Sequence, residues 1–381
     1  MSDYHVLLVG NYRLDHQMSM LRYHDMLLTE LKARKVSASG IEPAPCIGQL
    51  SAGPLTKWLR YLDKYLLFPR VLKKHIARLE RELAGRQFIV HITDHSNAPY
   101  LASAGNHLVV ATCHDLLAVR GALGEDTDCP ASRFGKILQS NILAGLRRMR
   151  LVICVSSATQ GDLTRLAPET PSTVIPLPLN QPYGVLPKNE TDRRLAPYEL
   201  TSIPFILHVG SSLTRKNREG ILRIFARIAD QFSGKLVFAG ETLHPEQRAL
   251  ATQLGIADRI LEIDHPPTSI IEALYNRAHA FLFPSKTEGF GWPIIEAQAC
   301  GCPVLVARTT SLPEVVGDGG LIRDFADEAG FAADLLALQD DTLRQRLIQS
   351  GFANLTRFAT DKVIAQYLAT YQSLVSVSLA G

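Results

Sequence analysis

Short apolar runs alternate with helix-length segments along this chain, and the alternation occurs twice. "HVLLVG" (5–10), "FIVHIT" (88–93), "HLVVATCH" (107–114) and "LVICVSS" (151–157) have strand length and are separated by helical patterns near 17–35, 56–84 and 132–149. A polar, proline-rich stretch follows. The pattern then restarts with "FILHVGS" (205–211), "KLVFAG" (235–240), "ILEI" (260–263), "AFLFPS" (280–285) and "PVLVAR" (303–308), again with helical segments between. Continuously apolar strands belong to parallel sheets, whose two faces are covered by the crossover helices. Two such blocks predict an α/β chain of two doubly wound, Rossmann-like domains facing a central cleft. The expected division is a first domain over 1–183, a linker over 184–202 and a second domain over 203–359. The last segment, 360–381, starts at Thr360-Asp361 and reads as one amphipathic helix. It has no later strand to pack beside, so it is expected to cross back onto the first domain.

Composition narrows the function classes. A net charge of +3 on 381 residues excludes a strong overall field for nucleic acid, so no nucleic-acid partner is expected. The six cysteines show no CxxC spacing, and Cys300-Gly-Cys302 is too tight for an ordinary bridge. Reduced thiols in a cytoplasmic protein are the expectation. No segment reads as a signal peptide or a membrane span. "VLLVGNY" lacks a full GxGxxG pattern, so no dinucleotide cofactor is expected. Asp126-x-Asp128 lies in a polar loop after no convincing strand and reads as a solvated turn, so no essential metal is expected either.

The informative stretch is "SKTEGFGWPIIEAQACGCPV", residues 285–304. The strand before it ends at Pro284, so "KTEGFGW" is the loop at a strand's carboxyl end, the side on which such sheets bind ligands. Pro293 suits the first turn of a helix, and Gly301 and Pro303 end that helix. Glu288 is thereby placed in the loop and Glu296 in or near the helix's first turn. Gly289, Phe290 and Gly291 let the backbone approach a ligand and offer N–H groups near a positive helix end. Carboxylates accept strong hydrogen bonds from hydroxyl groups. Two of them flanking an anion-friendly backbone suit a ligand with hydroxyls at both ends and phosphates between. A nucleotide sugar has that layout. In the other informative loop, Arg215 and Lys216 follow the strand "FILHVGS" and are placed to stabilise charge on a departing nucleoside diphosphate.

The stretch "FLFPSKTEGFGWPIIEAQACGCPVLVARTTSLPEVVGDGG" resembles the core signature of the retaining family 4 glycosyltransferases, whose fold is GT-B. Glu288 and Glu296 match that family's E-x7-E motif, and "FILHVGSSLTRKNREGIL" is similar to its second signature. The resemblance covers about 205–325 closely and 1–180 more loosely. It implies that Glu288 contacts donor-sugar hydroxyls and Glu296 the nucleotide ribose. It implies that the amides of Gly289, Phe290 and Gly291 face the sugar and phosphates, with Gly210 and Ser211 beside them. Lys216, helped by Arg215, would neutralise the leaving diphosphate. Many relatives carry an arginine directly after the glycine of that strand, and here Ser211 follows Gly210. In the first domain the resemblance puts His114-Asp115 near the donor sugar and acceptor, while Asp94-His95 ends a strand and is a second candidate for shaping the acceptor pocket. The implied activity is metal-independent, retaining transfer of a sugar from a nucleoside-diphosphate sugar (GDP-mannose or UDP-hexose type) to a saccharide or lipid-linked saccharide. An epimerase acting on a nucleotide sugar, on the same architecture, is the alternative.

Residues 57–86 carry nine Lys or Arg against three Asp or Glu, with Trp58, Tyr61, Tyr65 and Phe68 interleaved. They read as one or two basic amphipathic helices broken at Pro69. Such a surface can touch an anionic membrane, on the inner face for a cytoplasmic protein, or simply cover the sheet.

Overall fold

The structure, a computed structural model, describes residues 4–50, 53, 55–83 and 86–380. Residues 1–3, positions 84 and 85 of the basic segment and the final glycine of the terminal helix segment lie outside the described residues. The chain forms two compact units, one of residues up to Pro176 together with Thr360 onward, the other Leu177–Ala359.

In the first unit, β1 (Tyr4–Val9), β2 (Ser37–Ile41), β3 (Gln87–Ile92), β4 (Leu108–Cys113), β5 (Leu151–Cys154) and β6 (Ser172–Val174) form one parallel sheet in the order β2-β1-β3-β4-β5-β6. The central strands are apolar on both faces because helices cover both. Val6, Leu7, Leu8 and Val9 are all fully buried. Leu7, Val9, Val90 and Ala111 pack with Leu72 and Ile76 from the helix Phe68–Glu82 and with Leu143 and Leu146 from the helix Arg133–Leu146. The strand order reverses between β1 and β3, which places the open crevice of this unit at their carboxyl ends.

In the second unit, β7 (Phe205–Gly210), β8 (Lys235–Gly240), β9 (Ile260–Asp264), β10 (Ala280–Phe283), β11 (Val304–Ala307) and β12 (Gly320–Arg323) form a second parallel sheet in the order β12-β11-β10-β7-β8-β9. Here the order reverses between β7 and β10. The two loops that carry the charged motifs, 211–217 and 284–291, leave the carboxyl ends of these two strands. The fold therefore brings together segments about seventy residues apart in sequence, at the place where such sheets bind ligands.

Two expectations need correction. Residues 184–202 are not an irregular connector, since they belong to the second unit and contain the helix Lys188–Leu195. Leu195 and Leu200 are fully buried. Too few apolar positions lie in that helix to reveal its period. Nor does Pro69 break the basic segment. Pro69 occupies the first turn of the helix Phe68–Glu82, where its missing N–H costs nothing, and a π-helical turn over Asp63–Leu67 joins it to the helix Thr56–Leu62. Asp63, inside that turn, is buried and accepts hydrogen bonds from the Tyr12 hydroxyl (2.7 Å) and the backbone N–H groups of Cys46, Ile47 and Gly48.

The terminal helix, Thr360–Ala380, lies within the first unit. A polar network fastens it to the sheet. The Tyr371 hydroxyl meets His91 Nδ1 at 2.6 Å, His91 Nε2 meets Thr112 Oγ1 at 2.8 Å, and Tyr23 links Thr112 (2.8 Å) to the Tyr367 hydroxyl (2.7 Å). All five side chains of this network are buried, so each polar group has to find another. Burial also keeps the histidines of the strands neutral. It lowers His91 to about 3, His208 to about 3 and His5 to about 4.

These depressed values set an acid limb of stability. Above pH 6.5 both folded and unfolded histidines are neutral. Below it the unfolded chain takes up protons that the folded chain refuses until pH 3–4, so stability falls as the pH falls. With about three such groups, the loss steepens to as much as about 4 kcal/mol per pH unit once the unfolded histidines are charged. Urea midpoints compared at pH 7.5 and 5.0 should show a clear drop. A midpoint independent of pH over that range would mean that the histidines are not held neutral.

Candidate active site

At the carboxyl ends of β7 and β10, three charged side chains converge. Lys216 Nζ lies 2.6 Å from Glu288 Oε1, and Arg215 Nη1 lies 2.7 Å from Glu288 Oε2. Lys216 is buried, with its ammonium group 4.6 Å from the centre of the Phe283 ring. Only 9% of the Glu288 side chain is exposed. Burial pushes the Lys216 ammonium down from its ordinary value, and Glu288 opposes that shift by favouring the charged form. Burial alone would push the Glu288 carboxyl up, but Lys216 and then Arg215 outweigh it and hold it below its usual range. One excess positive charge remains in a site that is largely closed to water. Such a site attracts an anion.

The loops around this group are held by side chain-to-backbone bonds. Thr309 Oγ1 donates to the carbonyl of Ser285 (2.7 Å), and the Glu288 N–H donates to Thr310 Oγ1 (3.0 Å). Ser311 Oγ lies 3.0 Å from the Glu288 carbonyl and 2.9 Å from that of Phe290. Across the gap, the Lys286 N–H donates to the Arg215 carbonyl (2.7 Å), and Asn217 Nδ2 donates to the Pro284 carbonyl. The segment "RTTS" after β11 thus fixes the loop that carries Glu288, a role the sequence did not reveal.

Gly291 precedes the helix Trp292–Ala299 with φ +100°, a conformation that suits glycine, and Pro293 sits in its first turn. Phe290 is buried. Glu296 is the fifth residue of that helix, at the start of its second turn, near the first turn as the sequence reading placed it. It is 5% exposed. Asn180 Nδ2 donates to Glu296 Oε1 (2.8 Å), and the Tyr275 hydroxyl donates to Oε2 (3.2 Å). Trp292 Nε1 donates to the Pro178 carbonyl (2.8 Å), which secures the segment bearing Asn180. Neither Asn180 nor Tyr275 stands in the motif, and both were missed.

Arg218 was missed as well. It is buried, and burial lowers it to about 10. Its Nη1 donates to Ser212 Oγ (2.6 Å) and the Thr242 carbonyl, and its Nη2 to the Gly210 carbonyl (2.7 Å). Ser211 itself is half-buried just past the end of β7. Gly210 has φ +147°, and a Cβ there would meet Lys216 Cε at 3.6 Å.

In the first unit, the structure brings Asp94, His95 and His114 to the ends of β3 and β4, all buried. Asp94 accepts from Asn11 Nδ2 (2.5 Å) and from the Ser96 N–H and hydroxyl (both 2.9 Å). Burial acts to raise Asp94, but the neighbouring His95, then His114 and Asn11, hold it far below the usual carboxylate range. His95 Nδ1 is 3.2 Å from Asp94 Oδ1, and that carboxylate raises His95 against the effect of burial. His114 donates from Nε2 to the Thr93 carbonyl (3.0 Å), packs edge-on to Tyr23, and is lowered by burial. It is therefore a neutral imidazole whose Nδ1 has no protein partner among the described residues. Asp115 instead accepts the Leu117 N–H through Oδ1 and starts the helix Leu117–Ala122. Asn11, which bridges Asp94 and Gln17, had no sequence signal.

Residues 198–353 match the family model "Glycosyl transferases group 1". That span covers the second sheet and every residue of the Lys216–Arg215–Glu288 group. Over 246 residues (63% of this chain) the sequence is 27% identical to O-antigen chain mannosyltransferase B of Escherichia coli, covering 65% of that protein. Over 285 residues (70% of this chain) it is 27% identical to D-inositol 3-phosphate glycosyltransferase of Acidothermus cellulolyticus, covering 62% of it. The chain spans under two thirds of the length of these two relatives. Across nearly the whole chain the fold is that of solved GT-B glycosyltransferases. It matches sucrose-phosphate synthase from Thermosynechococcus elongatus with a TM-score of 0.73 at 20% identity (98% of this chain, 100% of that one). It matches Anabaena Alr3699/HepE in complex with UDP with a TM-score of 0.69 at 16% identity (97% and 100%).

The chemistry separates Arg218 from Lys216. Arg218→Met removes three hydrogen bonds of a buried guanidinium, to Ser212, Thr242 and Gly210, so it should cost on the order of 2–4 kcal/mol of stability. Lys216→Ala removes a group that strains against its own burial and should cost far less. Urea denaturation of the two variants checks this; equal stability losses would show that Lys216 is as structural as Arg218.

Proposed function

We propose that the protein is a retaining glycosyltransferase. It moves a hexose from a nucleoside-diphosphate sugar, of GDP-mannose or UDP-hexose type, to a saccharide or lipid-linked saccharide acceptor. The observation that carries this reading is the buried group of Lys216, Arg215 and Glu288 at the switch point between β7 and β10. Breaking the sugar–phosphate bond leaves negative charge on the departing diphosphate. Two preorganised cations in a water-poor site stabilise that charge without a metal. That a fold relative was solved in complex with UDP supports a nucleotide donor.

In this mechanism the diphosphate takes over Lys216 and Arg215, and the Glu288 carboxylate is released to accept hydrogen bonds from the donor sugar. The amides of Gly289, Phe290 and Gly291 lie beside the sugar and phosphates, with Gly210 and Ser211 opposite. Glu296, held by Asn180 and Tyr275, accepts from the ribose hydroxyls. In the first unit, His114 and Asp94-His95 face the acceptor side. A lipid-linked acceptor would be met at a membrane surface through the basic segment 57–86, where nine Lys or Arg are interleaved with aromatic side chains.

Lys216→Ala should reduce the transfer rate by roughly 10²-fold or more, with folding intact. Transfer should also survive EDTA. A near-normal kcat in the folded variant, or loss of activity to chelation with rescue by a divalent ion, would sink the cationic leaving-group mechanism.

The two glutamates should separate by assay. Glu296→Gln weakens nucleoside diphosphate and nucleotide sugar alike, because the ribose is common to both. Glu288→Gln should bind the diphosphate at least as well as the parent protein, since the competing carboxylate charge is gone, while transfer falls. Calorimetry with the diphosphate, paired with a transfer assay, decides it. Loss of diphosphate binding in Glu288→Gln, with Glu296→Gln unaffected, reverses the proposed placement of the donor.

A further inference from the structure

A charged cavity lies in the first unit. It has a volume of about 610 Å³ and is lined by Asp15, Gln17, Thr56, Lys57, Arg60, Tyr61 and Lys64. The turn Arg13–Asp15 follows the carboxyl end of β1, so the cavity stands at the open end of this sheet. Gln17 is joined through Asn11 to Asp94 at the end of β3. The cavity is thus contiguous with the residues assigned above to the acceptor side.

Its charge is unbalanced. Lys64 is matched by Asp15 at 2.6 Å. Asp63, next to it in sequence, spends its carboxylate on Tyr12 and three backbone N–H groups. Lys57 and Arg60 have no carboxylate partner among the described residues. Arg60 is held in place by donating Nη1 to the Leu14 carbonyl (2.7 Å), while its Nε is buried without a partner. A fixed guanidinium with an unused donor beside an unpaired ammonium suits a phosphate group.

One wall of the cavity is also the edge of an apolar surface. Tyr61 packs at 5.5 Å from Phe134 and 6.0 Å from Trp58, and Trp58 packs at 5.1 Å from Phe134. Around them Leu55, Leu62 and Ile137 are exposed, at 65%, 42% and 61%. Phe134 and Ile137 come from a helix some seventy residues further along the chain, so two helices build one apolar apron beside a cationic hole. A soluble acceptor needs the hole alone. The apron next to it suits a ligand that is apolar beyond its phosphate.

We propose that this cavity binds the phosphate of a lipid-borne acceptor, with Arg60 and Lys57 on the phosphate and Trp58, Tyr61 and Phe134 along the first part of the chain. The proposal rests on the transferase reading for the word acceptor, but its test does not use transfer. Binding of octyl phosphate (below its micelle concentration), inorganic phosphate and octanol is measured by calorimetry on the full chain, alongside a nucleoside diphosphate. Octyl phosphate should bind at least tenfold more tightly than either inorganic phosphate or octanol. Lys57→Gln combined with Arg60→Gln should weaken octyl phosphate by tenfold or more and leave the nucleoside diphosphate unchanged. Trp58→Ala should reduce octyl phosphate toward the inorganic phosphate value. If the double variant unfolds, Lys57→Gln alone, at an exposed position, should still weaken octyl phosphate severalfold. Inorganic phosphate equal to octyl phosphate overturns the lipid source. Octanol equal to octyl phosphate, or binding indifferent to the cation substitutions, overturns the phosphate seat. Failure of nucleoside diphosphate binding, with octyl phosphate behaviour as stated, counts against the transferase reading and leaves this site standing.

Discussion

A lysine cannot stay charged inside a protein without a counter-charge, and that constraint organises the second unit. Lys216 is buried against Phe283, so its ammonium requires Glu288 within hydrogen-bond distance. Glu288 in turn requires the 284–291 loop to close over the 211–217 loop. The hydroxyls of Thr309, Thr310 and Ser311 hold that closure from the side of β11. An ion pair of this kind contributes little net stability, because the desolvation of both partners offsets their attraction. What it does maintain is a charged, ordered pair of cations before any ligand arrives. Preorganised charge of this sort is what catalysis of anionic departure needs.

The central strands were legible from sequence, whereas three of the four edge strands were not; the fourth, β9, was read from "ILEI". Val6–Val9, Phe205–Leu207 and Ala280–Phe283 are buried on both faces, so their apolar runs are unbroken. The strands β2 and β6 read "SASGI" and "STV". They sit at the two edges of the first sheet, half-exposed, and carry no such run. The edge strand β12 escaped for the same reason. At the site, the charged members Lys216, Arg215 and Glu288 were visible because glycine and proline punctuate their loops. Asn180, Tyr275, Asn11 and Arg218 were not. Each acts by spatial proximity to a residue far along the chain or through the backbone, and a single sequence carries no mark of either. The expected separate roles of Glu288 and Lys216 hid a further fact, that the two are hydrogen-bonded to each other.

The position of Ser211 illustrates how the site supports its own geometry. Gly210 and Gly240 are register partners at the ends of β7 and β8, and both have positive φ. A Cβ on Gly240 would come within 2.3 Å of the Gly210 carbonyl oxygen. Two neighbouring strands thus end without side chains and leave a trough. Arg218, in the first turn of the helix Arg218–Ile228, binds the Gly210 carbonyl together with the Glu241 N–H. Its charge is only loosely countered, by Glu241 and Glu262. It therefore adds positive potential behind Lys216 while both of its terminal nitrogens donate to backbone carbonyls. The division of labour follows from hydrogen-bond capacity: a guanidinium with several donors can hold a loop and still lend its charge, whereas the ammonium of Lys216, tied only to Glu288, is the group that can exchange partners.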